Sequence, residues 1–126
     1  MSRSEYELGP AELEVLRALW DLGPGTVRQV LAWLHDRGRQ VAYTTVQTMM
    51  NILEGKGHLR KDAGDKAHVY VPVRAQQLVV GSLVRDFVNR VFDGSARPLL
   101  VHLLKQKGLT DRERRDLQKL LDAEEE

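Results

Sequence analysis

Cysteine is absent from this chain of 126 residues. Disulfides, thiolate metal sites and cysteine nucleophiles are therefore excluded, and the absence fits a reducing compartment. No apolar run approaches the ~18 residues that a transmembrane helix needs. The N-terminal stretch Met1–Glu7 also lacks the apolar core of a signal peptide. We therefore expect a cytoplasmic protein without membrane insertion.

The sequence motifs of catalysis and of metal binding are missing too. No Gly-rich phosphate loop, nucleophile elbow or apolar carboxylate pair is found. The four histidines are His35, His58, His68 and His102. Their spacing does not match a metal site, and isolated histidines are more often structural. We expect no metal, no cofactor and no enzymatic activity.

The charge of the chain is unevenly distributed. Hydrophobic residues make up 42% and charged residues 29%, as in folded proteins, and the net charge is only +1. Residues 1–36 hold three basic and six acidic side chains, whereas residues 37–66 hold six basic and three acidic ones. Phosphate contacts need local rather than global positive charge. The middle of the chain is therefore the place to look for nucleic-acid contacts.

Two helices are predicted before that region. Pro10 suits the first helical position, and Gly23-Pro24-Gly25 ends the first helix in a turn. Thr26 is a good N-cap for a second helix over Val27–Asp36. Arg28, in its first turn, would lie near a DNA backbone if this helix crosses one. The alternative for Arg28 is an ordinary solvent-facing charge.

The stretch Ala42–His58 predicts a third helix with two different faces, and Gly55 or Gly57 ends it. At about 100° per residue its apolar residues form one narrow stripe: Val46, Met49, Met50 and Leu53. Four neutral polar residues share the opposite side: Thr44, Gln47, Thr48 and Asn51. Amides and hydroxyls suit the reading of base edges, since Asn and Gln pair with adenine. The alternative is an ordinary core helix with a threonine-rich outer face.

A hairpin is predicted next, with strands over residues 59–62 and 67–71 and Val69 and Val71 on one side. Lys61 and Lys66 lie near its tip. A basic hairpin after three helices has the form of a wing. The alternative is a hairpin that merely covers a helical core.

Three more helices are predicted: Gln76–Phe92, Ala96–Lys107 and one that follows the capping box Thr110–Glu113. The middle one is apolar nearly all round and should be buried on several sides. Alone, these helices are too few to bury their apolar residues. They could dock on the first part of the chain, but pairing with a second copy is more economical. The interface residues expected are Val80, Leu83, Val84, Phe87, Val91, Leu99, Leu100, Leu103, Leu104, Leu117, Leu120 and Leu121.

Several segments resemble the penicillinase-repressor family (the BlaI/MecI/CopY type). They are Leu13–Trp20, Thr26–Val30, Ala42–Thr48, Leu53–Gly57 and Ala67–Pro72, of which Tyr-Thr-Thr-Val-Gln-Thr is the most specific. The resemblance implies a bacterial winged helix-turn-helix repressor, active as a homodimer on double-stranded operator DNA with an inverted repeat. It places Thr44, Gln47 and Thr48 in the major groove and Thr45 on a phosphate. It assigns the wing residues Arg60, Lys61 and Lys66 to phosphates.

We therefore expect a mainly α fold with a small β-hairpin. Residues 1–74 would form a winged-helix DNA-binding domain, and residues 75–126 would form helices for dimerisation. Antibiotic-responsive family members are released by cleavage of an Asn-Phe bond, which implies a membrane sensor metallopeptidase as a partner. Here His102-Leu103 stands at that bond, and the cysteine motif of copper-responsive members is absent. The alternative function is a winged-helix module that binds a protein instead of specific DNA.

Overall fold

The computed structural model of the chain describes residues 7–63 and 67–124. Its elements, in order, are α1 (Pro10–Leu22), α2 (Val27–Asp36), α3 (Tyr43–Gly55), β1 (Leu59–Ala63), β2 (His68–Pro72), α4 (Gln76–Phe92), α5 (Arg97–Lys105) and α6 (Asp111–Glu124). This order confirms the predicted fold class, three helices and a hairpin followed by C-terminal helices. The described chain divides into two compact units, one up to Val80 and one from Gly81 onward.

Local capping accounts for where several helices begin. Pro10 is the first residue of α1, as predicted. The Thr26 hydroxyl accepts a hydrogen bond from the Gln29 backbone N–H, and the Gln29 side chain accepts one from the Thr26 N–H. Thr110 and Glu113 form the same reciprocal pair before α6. The backbone hydrogen bond from Thr110, followed by its side chain, lowers the pKa of the Glu113 carboxyl.

The C-terminus of α3 is closed by Gly57 rather than by Gly55. The N–H of His58 donates to the carbonyl of Leu53, and the N–H of Gly57 donates to that of Glu54. This pair of bonds is a Schellman motif, which needs a left-handed residue at its second-to-last position. Gly57 has φ +83°, a conformation that costs other residues more than glycine. The turn directs the chain from α3 straight into β1.

Gly57→Ala should lower the free energy of unfolding by about 1–2 kcal/mol, because alanine is strained in the left-handed region. Gly55→Ala is the matched control, since an added Cβ at this helical position meets no atom within 4 Å. It should leave stability unchanged or raise it by up to about 1 kcal/mol. Urea unfolding of both variants measures the difference. Equal effects of the two changes would contradict the assigned turn.

The core of the first unit lies where its three helices meet the hairpin. Its buried residues are Val15, Leu16, Ala18, Leu19, Val27, Val30, Leu34, Val46, Met50, Leu53, Leu59 and Tyr70. The predicted inner stripe of α3 is thus buried at Val46, Met50 and Leu53, while Met49 packs at the edge of the core. The Trp20 indole N–H donates to the Arg74 carbonyl at 3.0 Å, which ties α1 to the segment after β2.

The hairpin is antiparallel, with Leu59 opposite Pro72 and Lys61 opposite Tyr70. Both predicted strands exist, but β2 begins one residue later than predicted and includes Pro72. Gly25, in the turn before α2, forms an isolated bridge with Tyr70 on the other edge of β2. Tyr70 is the residue of β2 that enters the core, with 3% of its surface exposed.

The second unit buries little of its apolar surface. Among its described residues only Val88 and Leu121 count as buried hydrophobics, at 8% exposure each. The prediction that the fifth helix is buried on several sides is wrong for the single chain, since α5 has no buried residue. The reason is that α5 packs mainly on α6, and this contact leaves its residues half-buried or exposed. Large apolar residues remain exposed: Val84, Phe87, Val91, Leu103 and Leu120.

Candidate nucleic-acid interface

The outer surface of α3 carries the residues that the sequence placed there. Thr44, Gln47, Thr48 and Asn51 are all exposed. Side chains four residues apart lie on the same side of a helix, so they form two adjacent rows. The outer row is Thr44, Thr48 and Ile52, and the hairpin row is Tyr43, Gln47 and Asn51. Both rows are uncharged.

The hairpin row borders a concavity of about 240 Å³ between the start of α2, the start of α3 and β2. Arg28, Tyr43, Gln47 and His68 line it. The Arg28 guanidinium lies 5.7 Å from the centroid of the Tyr43 ring, within the range of a cation–π contact. Arg28 is therefore a cation beside the exposed surface of α3.

On the other flank of α3, Thr45 is exposed at the edge of a shallow cleft. Val41, Met49, Arg39 and Glu14 are among the other residues that line the cleft. The Arg39 Nε lies 2.8 Å from the Glu14 carboxylate. Thr45 thus lies on the flank of α3 that faces away from the hairpin row.

Arg60 and Lys61, the basic residues in the described part of β1, are paired with carboxylates. Arg60 Nε lies 3.2 Å from Asp62 Oδ1, and this hydrogen bond, followed by the charge of Asp62, raises the pKa of Arg60. Lys61 Nζ lies 3.6 Å from a Glu54 oxygen and 5.5 Å from the centroid of the Tyr70 ring. Lys66 lies outside the described residues. A phosphate therefore has to compete with Asp62 for Arg60 and with Glu54 for Lys61.

Asp62→Asn should raise the affinity for DNA several-fold, because it frees Arg60 for a phosphate and removes a negative charge. The affinity should rise by the same factor for every DNA sequence. The slope of the logarithm of the affinity against the logarithm of the salt concentration should become steeper by about one unit. Asp122→Asn in α6 is the control, since it makes the same charge change at an exposed residue far along the chain. Anisotropy titrations of labelled duplexes at several salt concentrations give both quantities. Unchanged affinity and slope would contradict the role given to Arg60.

Nearly the whole chain matches a known family. Residues 8–123 match the family described as Penicillinase repressor. The chain belongs to the penicillinase-repressor family. Members of the family are DNA-binding transcriptional regulators and not enzymes. Family membership confirms the predicted function class, repression of transcription, and the resemblance on which it was based.

Individual relatives agree with this membership. The chain is 38% identical over 103 residues to "Transcriptional regulator BlaI" of Mycobacterium tuberculosis, covering 80% of this chain and 74% of the relative. It is 24% identical to "Penicillinase repressor" of Bacillus licheniformis, covering 92% and 90%. It is 20% identical to "Methicillin resistance regulatory protein MecI" of Staphylococcus aureus, covering 96% and 98%.

Among solved structures, a MarR family protein from Bacillus stearothermophilus has a TM-score of 0.51 to this chain at 16% identity, covering 96% of this chain and 78% of that one. The likeness is one of fold, and it agrees with a winged helix. In the described part of this family member, no helix is long and apolar enough to cross a membrane.

Three residues that form or support this surface were missed by the sequence analysis. Ile52 follows Thr48 by four residues and is 40% exposed, so an apolar group stands in the outer row. The Tyr70 hydroxyl donates to Asn51 Oδ1 at 3.0 Å, which joins the hairpin to α3. Tyr43 lies under Arg28. Helical spacing alone could have found Ile52 and Tyr43, whereas the Tyr70 contact joins residues 19 positions apart.

Proposed function

We propose that this chain represses transcription as a homodimer bound to an inverted-repeat operator, with α3 of each copy in the major groove. The observation that carries the proposal is the exposed, uncharged face of α3, with Thr44 and Thr48 at its centre. Hydroxyls and amides of this kind contact base edges, and an apolar side chain such as Ile52 suits a thymine methyl. Gln47 would read a base from the hairpin side.

In the proposal, residues on both flanks of the exposed face of α3 contact phosphates. Arg28 lies in the concavity beside Gln47, and Thr45 lies on the opposite flank of α3. Arg60, Lys61 and Lys66 would bind phosphates from the hairpin once DNA displaces the carboxylates that hold the first two. Contacts of this kind fix the register of the protein on the duplex without reading the sequence.

Helices α4 to α6 supply the dimer interface in the proposal, which assigns residues 1–74 to DNA binding and residues 75–126 to dimerisation. The support is the apolar surface that the single chain leaves exposed from α4 to α6. Val84 is 48%, Phe87 41% and Val91 55% exposed, at spacings of three and four residues along one side of α4. Leu83, Leu99, Leu100, Leu104 and Leu117 are half-buried and would be covered further. Leu121 is buried within its own unit and would support the interface from beneath.

A binding titration tests the proposal. Anisotropy should be measured on a duplex from upstream of the gene for this chain and on a scrambled duplex of equal composition, from about 50 to 200 mM salt. Binding to the first should be tighter by about 10³-fold or more. The logarithm of the affinity should fall linearly with the logarithm of the salt concentration. Equal binding to both duplexes at the higher salt would contradict operator recognition and favour the protein-binding alternative.

We further propose that repression in the bacterial cytoplasm ends by cleavage of the dimerisation helices through a membrane sensor metallopeptidase. In support, His102 is exposed in α5. The His102-Leu103 bond stands where the resemblance places the Asn-Phe bond of antibiotic-responsive members, so the different residue pair calls for a peptidase of different specificity. Co-expression with a metallopeptidase encoded beside the gene for this chain should produce a fragment that ends within α5. A chain that stays intact while the repressed gene is induced would contradict this route.

A further inference from the structure

The hydroxyl of Tyr70 and the carboxamide of Asn51 form the direct side-chain hydrogen bond between β2 and the exposed surface of α3, at 3.0 Å. Asn51 is the last residue of the hairpin row and is exposed. A free asparagine side chain rotates broadly about its last torsion and can present either its oxygen or its nitrogen. Here the oxygen accepts the Tyr70 proton, so the orientation of the amide is set by the hairpin.

Tyr70 is held unusually firmly for a residue of a short hairpin. Its backbone N–H donates to the Gly25 carbonyl at 2.8 Å, and its carbonyl accepts from the Gly25 N–H at 3.0 Å. Its ring is 3% exposed within the core. Tyrosine has only two side-chain torsions, so burial of the ring also fixes the position of the hydroxyl oxygen.

Gly25 is itself confined. A Cβ added there would lie 3.2 Å from Leu19 Cδ2 and 3.3 Å from Gln29 Oε1, and the Gln29 oxygen is the one that caps α2. The contact from β2 to the turn before α2 therefore has little room to shift. The position of the Tyr70 hydroxyl, which donates to Asn51, is therefore fixed by the packed core and by the cap of α2 as well as by the hairpin.

We propose that Tyr70 is a positioning residue for base recognition. It holds Asn51 with Oδ1 turned toward β2 and Nδ2 turned away from it, toward the exposed surface of α3. This inference rests on the proposed function, since it assumes that this surface meets DNA. Asn51 then offers donors alone and recognises an acceptor on a base edge, such as guanine O6 or N7 or thymine O4. The in-plane pair with adenine needs both the amide oxygen and the amide nitrogen, so it is not formed.

Asn51 and Tyr70 have different roles in base recognition. Asn51 touches the base, whereas Tyr70 acts through Asn51 and touches no DNA. Removing the Tyr70 hydroxyl should therefore weaken one base preference while leaving the phosphate contacts and the salt dependence as they are. A structural role for Tyr70 would instead weaken binding to every sequence alike.

The test measures binding of the full chain to its operator and to every single-base variant of that operator. Tyr70→Phe keeps the buried ring and should reduce discrimination roughly fivefold or more, at the position where Asn51→Ala reduces it and at no other. The double variant should lose no more than Asn51→Ala alone, because Tyr70 acts only through Asn51. Thermal unfolding of Tyr70→Phe separates a loss of stability from a loss of discrimination.

A second variant tests the direction of the hydrogen bond to DNA. Asn51→Asp keeps an oxygen for Tyr70 but replaces the donor with an acceptor. It should lose the original base and favour one that presents a donor, such as cytosine. Retention of the original preference by Asn51→Asp would overturn the donor assignment. An unchanged or uniformly weakened profile in Tyr70→Phe would overturn the positioning role.

Failure of this inference can be told from failure of the proposed function. If the unaltered chain binds its operator selectively and Tyr70→Phe keeps the same preference at every base position, only the positioning role of Tyr70 is contradicted. If the unaltered chain shows no base preference at all, operator recognition falls and the inference falls with it.

Discussion

Phe87→Glu is expected to convert the protein to a monomer at micromolar concentration and to reduce operator affinity by about 100-fold or more. Phe87 is 41% exposed in the single chain, and its ring packs edge to face on Phe92 at 5.9 Å between centroids. A carboxylate there would be buried without a partner in the proposed interface, which is strongly unfavourable. Losing the dimer also removes the second half-site contact and the high effective concentration that it provides.

The size of this effect follows from how little the second unit buries by itself. A helical unit of under 50 residues, whose described part holds two buried hydrophobic residues, gains too little from burial to offset the entropy of ordering its chain. Covering apolar surface contributes about 25 cal/mol per Å², so the exposed valines, leucines and phenylalanine are worth several kcal/mol once a partner covers them.

Leu22→Glu is the matched control for Phe87→Glu. Leu22 ends α1 in the first unit and is 44% exposed. The variant therefore replaces a similarly exposed apolar residue with glutamate outside the proposed interface. It should remain dimeric and retain operator binding. Sedimentation equilibrium gives the mass of each variant, and anisotropy gives its affinity. A dimeric Phe87→Glu protein would rule out this face of α4 as the interface.

Thr48→Glu should abolish operator binding without unfolding the chain. Thr48 is exposed at the centre of the outer row of α3, so glutamate costs the core nothing. In the groove, its carboxylate would face base acceptors and the phosphates on either side. Like charges brought together in an interface cost several kcal/mol, which corresponds to a loss of more than about 100-fold.

Gln77→Glu is the control for that charge. Gln77 is exposed in the first turn of α4, away from the surface of α3 in sequence. It should keep the operator affinity within about threefold, since only a screened long-range effect of the charge remains. Circular dichroism shows whether each variant is folded. If Thr48→Glu binds the operator as tightly as Gln77→Glu does, α3 is not the reading helix.

Signals that lie close together in the sequence predicted much of this fold. Thr26 marks the start of α2, and the structure gives Val27–Asp36 as the sequence analysis did. The same holds for α4, Gln76–Phe92, whose end is marked by Asp93-Gly94. The two faces of α3 follow from helical geometry alone, because Val46, Met50 and Leu53 alternate with neutral polar residues at a regular spacing.

Features that depend on distant residues could not be predicted in the same way. Because side chains alternate along β2, Tyr70 points to one face of the hairpin and Val69 and Val71 point to the other. Only the packing of the helices decides that the face with Tyr70 enters the core. The family resemblance assigns Arg60 to a phosphate, whereas in the structure its guanidinium donates a hydrogen bond to Asp62. Apolar residues nearly all round α5 predicted burial on several sides, but the single chain buries none of them. In the proposal, a second copy covers the exposed ones.

Selection of bound duplexes from a random DNA library, followed by sequencing, tests the central claim most directly. The account predicts enrichment of one sequence with two-fold symmetry. Its half-sites should be separated by one helical turn of about 10–10.5 base pairs or a multiple of it. Thr48→Glu should enrich nothing, and Tyr70→Phe should enrich the same sequence with one position relaxed in each half-site. Enrichment of sequences without symmetry, or of none, would contradict a dimer that reads DNA through α3.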